Sequence, residues 1–217
     1  MVSINNKLIK IFTCMSKKKF LQPISKTQFK TSGKESINEL KNKLIYTSKK
    51  KSNNCIVLCR QLRDFFKPNG LSGIKNLCFT QKMIIELNKN LNIDYSIYIW
   101  ETGKNMFLEM KHNLTQKVYQ FEIVDYEDNF KTFANTLYTH SPMVVLNNFG
   151  QMNELKMFLK NMYSDNIKIG FKRIILFSVI NGEIYLRHFC YNVRDNDVEY
   201  VVKLAEIGPR LTLKLLE

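Results

Sequence analysis

The Gly208-Pro209 pair near the C-terminus limits what this chain can fold into, because no helix continues through it and apolar runs flank it on both sides. Proline lacks the amide N–H that a helix interior needs and holds its own φ at about −65°. Glycine reaches positive φ, a region closed to most residues with a β-carbon. Val202, Leu204 and Ala205 lead into Glu206-Ile207, and beyond the pair Leu211, Leu213 and Leu215 alternate with Thr212 and Lys214. That period of two marks a half-buried strand. The spacing predicts two strands meeting at a hairpin corner, with Glu206, Gly208 and Pro209 forming the structural turn. Arg210 then starts from a restricted backbone, and its guanidinium has two outlets: an external anion, or Glu206 across the turn.

Upstream, the periodicity changes several times. Residues 44–47 read as a short buried strand, and Ser48-Lys-Lys-Lys-Ser-Asn53 as a basic loop. Cys55, Leu58, Cys59, Leu62, Phe65 and Phe66 recur at helical spacing, with Asn53 or Asn54 as the cap and Pro68 just past the end. A second helix is predicted over 80–91, where Met83, Ile84, Leu87 and Leu91 share a face. Strands at 95–100, 106–110 and 118–124 follow, the first two joined at Gly103. Residues 125–141 are polar and read as an irregular connection. The order then repeats: a strand at 142–146, a helix at 151–163, and strands at 173–179, 183–191, 198–207 and 210–216, with Asn181-Gly182 as a hairpin turn. The fold class is therefore α/β, with strand, helix and antiparallel meander occurring twice. The expected boundaries are a basic arm over 1–42 and a domain over 43–217, whose halves cover about 43–125 and 142–217.

Charge is placed unevenly. The formal net charge is +14, and residues 1–51 alone hold 13 lysines against Glu35 and Glu39. Such an arm attracts a polyanion, of which nucleic acid is the commonest; a solvated tail or an acid-poor organellar transit peptide are the other readings. Lys49, Lys50 and Lys51 precede a helix start, where backbone N–H groups draw anions. The Gly-x-x-x-x-Gly-Lys-Ser/Thr pattern of a nucleotide loop is missing, so these lysines read as point-charge phosphate contacts. Trp100 and the strand aromatics around it read either as core or as a base-stacking platform.

Catalytic signals are weak. Cys14, Cys55, Cys59, Cys78 and Cys190 lack metal-ligand spacing, as do His112, His140 and His188, so no metal and no cofactor are expected, and the cysteines read as reduced thiols of an intracellular protein. No apolar run approaches the roughly 18 residues of a membrane span. Asp125, Glu127 and Asp128 read as a solvated acidic loop, and His140-Ser141 are sequence neighbours without nucleophile geometry. The chain is not expected to be an enzyme; a nucleic-acid processing enzyme and a structural protein without RNA contact are the lesser alternatives.

The string Leu204-Ala-Glu-Ile-Gly-Pro-Arg-Leu-Thr-Leu, preceded by Phe177-Ser-Val-Ile-Asn-Gly-Glu-Ile-Tyr-Leu-Arg187, resembles the C-terminal half of the Brix-domain family of ribosome-assembly factors. Leu211 stands where the family usually has Phe, and Lys49 where an opening Thr/Ser-Ser-Arg strand end has Arg. The resemblance spans about 43–217. It implies two similar α/β halves and a non-catalytic protein of nuclear, nucleolar pre-ribosomal particles that binds precursor rRNA and a dedicated assembly-factor protein partner, with no membrane role. Lys49, Lys50, Lys51, Arg187 and Arg210 are the residues expected to reach RNA. The 177–187 string is most like the large-subunit member of the family, while Arg187-His188 is similar to the Arg-His of the small-subunit processome member.

Overall fold

The computed structural model describes residues 41–49, 51–71, 78–128, 134–163, 172–196 and 199–216. The expected arm up to residue 40, and Lys50, lie outside them. The architecture is α/β, as expected, with the nine strands of the described residues in one sheet.

β1 (Asn42–Thr47) pairs in parallel with β2 (Ile93–Thr102), placing Ile45 beside Ile97. A parallel pair requires a crossover. It is made by α1 (Asn53–Phe65) and α2 (Gln81–Leu91). The α1 cap is Ser52 rather than either asparagine: its Oγ accepts the Cys55 N–H at 3.2 Å. α1 buries Cys55, Leu58, Cys59, Leu62 and Phe65, and Arg63 on the same helix donates to the Ile45 carbonyl at 3.0 Å, tying α1 to β1. β3 (Asn105–His112) and β4 (Val118–Glu127) complete an antiparallel meander, entered through Gly103 at φ +64°.

The second set follows the same plan. β5 (Met143–Asn147) pairs in parallel with β6 (Arg173–Ile180), and α3 (Asn153–Asn161) lies on the crossover. β6 turns into β7 (Glu183–Asn196) through Asn181 and Gly182, both at positive φ, as a two-residue hairpin of this hand requires. β8 (Glu199–Glu206) and β9 (Arg210–Leu215) end the sheet, whose order is β1-β2-β3-β4-β9-β7-β6-β5, with β8 beside β7. The last strand thus joins the two sets, pairing with β4 on one side and β7 on the other.

Two further expectations change. Gly208-Pro209 is a bend, not a hairpin corner: β8 and β9 do not pair with each other, and both run antiparallel along β7. Phe189 faces Glu206 and Leu186 faces Leu211, so β7 places two residues where the facing chain places four, 207–210. This is a bulge, where a proline without a ladder N–H is tolerated. Gly208 has φ +64° and the Gly208–Pro209 peptide is cis. The acidic stretch at 125–127 is not a loop either: Asp125 pairs with Thr212 and Glu127 with Arg210 on the β4–β9 ladder.

One face of the sheet carries the core. Leu211 and Leu213 of β9 are essentially inaccessible there, beside Phe121, Ile184 and Leu186. Burying each such side chain contributes about 1.5–3 kcal/mol. The helices bind the two sets together: Phe65 of α1 meets Phe177 and His188 edge-on, while Phe158 of α3 meets Tyr95 and Tyr119.

Candidate nucleic-acid interface

The β1–α1 loop is anchored by its own chemistry. Ser48 N–H donates to the Ile99 carbonyl at 3.1 Å, and Ser52 N–H donates to Glu101 Oε2 at 2.6 Å, with Ser52 Oγ also bonded to Glu101. A helix start favours an anion, and here the carboxylate from β2 meets that preference at the cap. Lys49 is exposed and Lys51 half-buried beside it. The loop offers point charges on a fixed backbone; its cap N–H is already engaged by Glu101.

Arg187 and Arg210 meet at the bend. Arg210 Nε donates to Glu206 Oε1 at 3.0 Å and its Nη2 to Glu206 Oε2, a bidentate fork, while Nη1 bonds Glu127. Hydrogen bonding to Glu206 raises the Arg210 pKa further above its ordinary value. Arg187 Nε lies 3.7 Å from Glu206 Oε1, and its Nη1 donates to the Leu186 and Leu211 carbonyls at 3.0 and 3.3 Å. Burial lowers the Arg187 pKa. Glu206 and Glu127 thus hold the guanidiniums, with the Asp125 carboxylate also acting on Arg187, and of the two outlets open to Arg210 the side chain takes the internal one. Glu127 went unrecognised as a partner because it is 83 residues away in the chain. Lys49 and Lys51 are not brought to these arginines: β2, β3 and β4 stand between β1 and β9, roughly 19 Å across four strand spacings.

Behind the bend lies a buried polar relay that sequence reasoning missed. His188 Nδ1 is 2.8 Å from the Gly208 carbonyl, which can only accept, so the ring donates there. Its Nε2 then accepts from Arg173 Nη1 at 3.2 Å. Arg173 is wholly inaccessible, and also donates to the carbonyls of Phe65, Lys67 and His140, with its guanidinium 4.9 Å from the Tyr138 ring. Burial lowers the Arg173 pKa to about 10, leaving it cationic at neutral pH. Desolvation, reinforced by Arg173, pushes His188 down to about 3, so the imidazole is neutral. The signal was present as parity: Arg173 alternates onto one face with Ile175 and Phe177, and His188 with Ile184 and Leu186.

The strand aromatics are neither core nor platform. Tyr98 stacks on Tyr46 at 5.0 Å and on Trp100 at 5.3 Å, and Trp100 stacks on Phe107 at 5.3 Å. These half-buried rings lie on the face away from the core. A base stacks on an open ring face, and Tyr98 and Trp100 are each already stacked on two neighbouring rings. Among the described residues no group of three or more His, Cys, Asp or Glu side chains is placed to hold a metal ion, and no helix is long and apolar enough to cross a membrane.

The family model for the Brix domain matches residues 6–217. The chain belongs to the Brix-domain family. The match takes in most of the stretch read as an arm as well as the sheet. No curated protein matches the chain. A Brix domain points to ribosome biogenesis and RNA binding, and within it the Glu206–Arg210 fork and the His188–Gly208 bond fix the bend that the family string first indicated.

Proposed function

We propose that this Brix-domain chain is a non-catalytic assembly factor that binds precursor rRNA in nucleolar pre-ribosomal particles of the large subunit, together with a dedicated protein partner. The observation that carries this reading is the family match over nearly the whole length. The large-subunit assignment rests on the Phe177–Arg187 string.

Lys49, Lys50 and Lys51, with the lysine-rich stretch before them, supply phosphate contacts and hence salt-dependent affinity, while the sheet presents a rigid shape to folded RNA. Arg187 and Arg210 act mainly through the bend, since a phosphate would have to displace Glu206 or Glu127 to reach the Arg210 fork. The Arg187-His188 pair favours a small-subunit role as the second reading, although His188 is committed to Gly208.

Purifying the tagged chain from cell extract and measuring the co-purified rRNA precursors separates the two. Enrichment of large-subunit precursors is expected. Enrichment of small-subunit precursors establishes the second reading, and absence of both overturns the assembly role.

A further inference from the structure

Between α3 and the strand ends of β2 and β3 lies a groove of about 480 Å³, outside the lysine loop and the bend. Its size falls in the roughly 300–1,000 Å³ range of small-ligand sites. Buried Tyr95 and Phe158 form the floor, and His112, Met157, Lys117 and Asn161 also line it, from more accessible positions. The floor is rigid: Tyr95 and Phe158 meet edge-on at 5.7 Å and both are buried. His112 is tilted against Tyr95 at 4.7 Å, and its Nδ1 is 2.7 Å from Thr115 Oγ1, which fixes the ring in the wall.

Met157 is 50% exposed on a helix whose other large apolar residues are covered. The groove thus carries a polarizable thioether and an imidazole in one lining, side chains that suit a flat π-system. The rim is polar and cationic. Lys117 Nζ pairs with Glu154 at 2.6 Å within the lining, and Lys41 Nζ, from outside it, donates to the Asn161 carbonyl at 2.6 Å, which leaves a net positive charge beside the groove. Asn153 and Asn161 also line the groove, and their amides supply both donors and acceptors for the edge of a ring.

We infer that this groove takes one unpaired nucleobase of a single-stranded RNA segment, stacked between His112 and Met157, with the adjoining phosphate near Lys117 and Lys41. A duplex cannot place a base there without unpairing it. An apolar peptide is the poorer occupant, because it would leave the asparagine amides and the lysine rim unmatched. The inference rests on the RNA-binding reading above and adds to it a site with a preference for single strands.

The test measures binding of the full chain to a short oligoadenylate and to a blunt RNA duplex of equal length. His112→Ala removes one stacking wall. Met157→Lys removes the other but adds a positive charge, so a diffusely electrostatic surface would bind tighter while a base pocket binds more weakly. The expected result is about tenfold weaker oligoadenylate binding for each variant, no loss on the duplex, and unfolding temperatures near the wild type. Unchanged oligoadenylate binding in both variants, equal loss on both RNAs, or tighter oligoadenylate binding by Met157→Lys overturns the groove alone. Failure of the wild-type chain to bind either RNA overturns the groove and the RNA-binding reading together.

Discussion

Replacing Glu206 with Gln keeps the side-chain volume at the bend and removes its charge, so the Arg210 fork and the Arg187 contact lose their common partner in one step. The Glu206 and Arg210 side chains are only 18% and 25% exposed. Hydrogen bonds to a charged group contribute about 1.5–3 kcal/mol when well buried, while an exposed ion pair contributes about 0–1 kcal/mol. A partly buried bidentate pair falls between these limits. Glu206→Gln should therefore cost about 2 kcal/mol, and Arg210→Lys, which keeps the charge but not the fork, about 1 kcal/mol. At about 2–4 °C per kcal/mol for a chain of this size, both losses are readable in a thermal melt. The double variant should cost about 1 kcal/mol less than the sum of the singles, because the shared interaction is lost only once. Singles that add to within about 0.5 kcal/mol would refute the coupling. Arg210→Lys that leaves the melt unchanged while weakening RNA binding would move this side chain to the interface.

Gly208→Val forces a β-branched residue into φ +64° at a buried position and should destabilise the chain by about 1–3 kcal/mol; an unaltered melting temperature would mean that the bend tolerates any residue. His188 is held neutral with its pKa lowered from 6.5 to about 3, so the unfolded chain binds the extra proton first. Its contribution is complete above pH 6.5 and falls away as the pH drops toward 3. His188→Gln should therefore flatten the stability profile across that window, and parallel profiles for variant and wild type would show that the imidazole is not the group responsible. Substituting Lys49, Lys50 and Lys51 together by Gln should lower the slope of log affinity against log salt by about 2–3 units at constant stability, given about 0.7–0.9 per phosphate contact. An unchanged slope would remove the loop from the interface.

Much of the fold was legible because local periodicity and tertiary burial agree in it. α1 and the meander of β2 to β4 follow directly from apolar spacing, α2 from that spacing although none of its residues is fully buried, and the Asn181-Gly182 turn from its composition. The bend was misread for a non-local reason. Whether two strands flanking Gly-Pro pair with each other or with a third depends on the length of β7, whose 14 residues run past the expected end at 191 to cover both β8 and β9. The α1 cap was misplaced by one or two positions because Ser52, Asn53 and Asn54 are all competent caps, and only Glu101 on a distant strand selects Ser52. Asp125 and Glu127 looked like loop residues because charge outweighs strand propensity in a local window; their partners lie on β9. Arg173 and His188 were passed over as single polar residues in apolar strands, yet they hold the bend from beneath.

The central claim is that the chain binds precursor rRNA as a ribosome-assembly factor. Crosslinking in living cells, followed by sequencing of the RNA recovered with the chain, tests it most directly. The expected result is a dominant peak within large-subunit precursor rRNA that weakens when Lys49, Lys50 and Lys51 are replaced by Gln. Recovery of rRNA no greater than from an untagged control would contradict it.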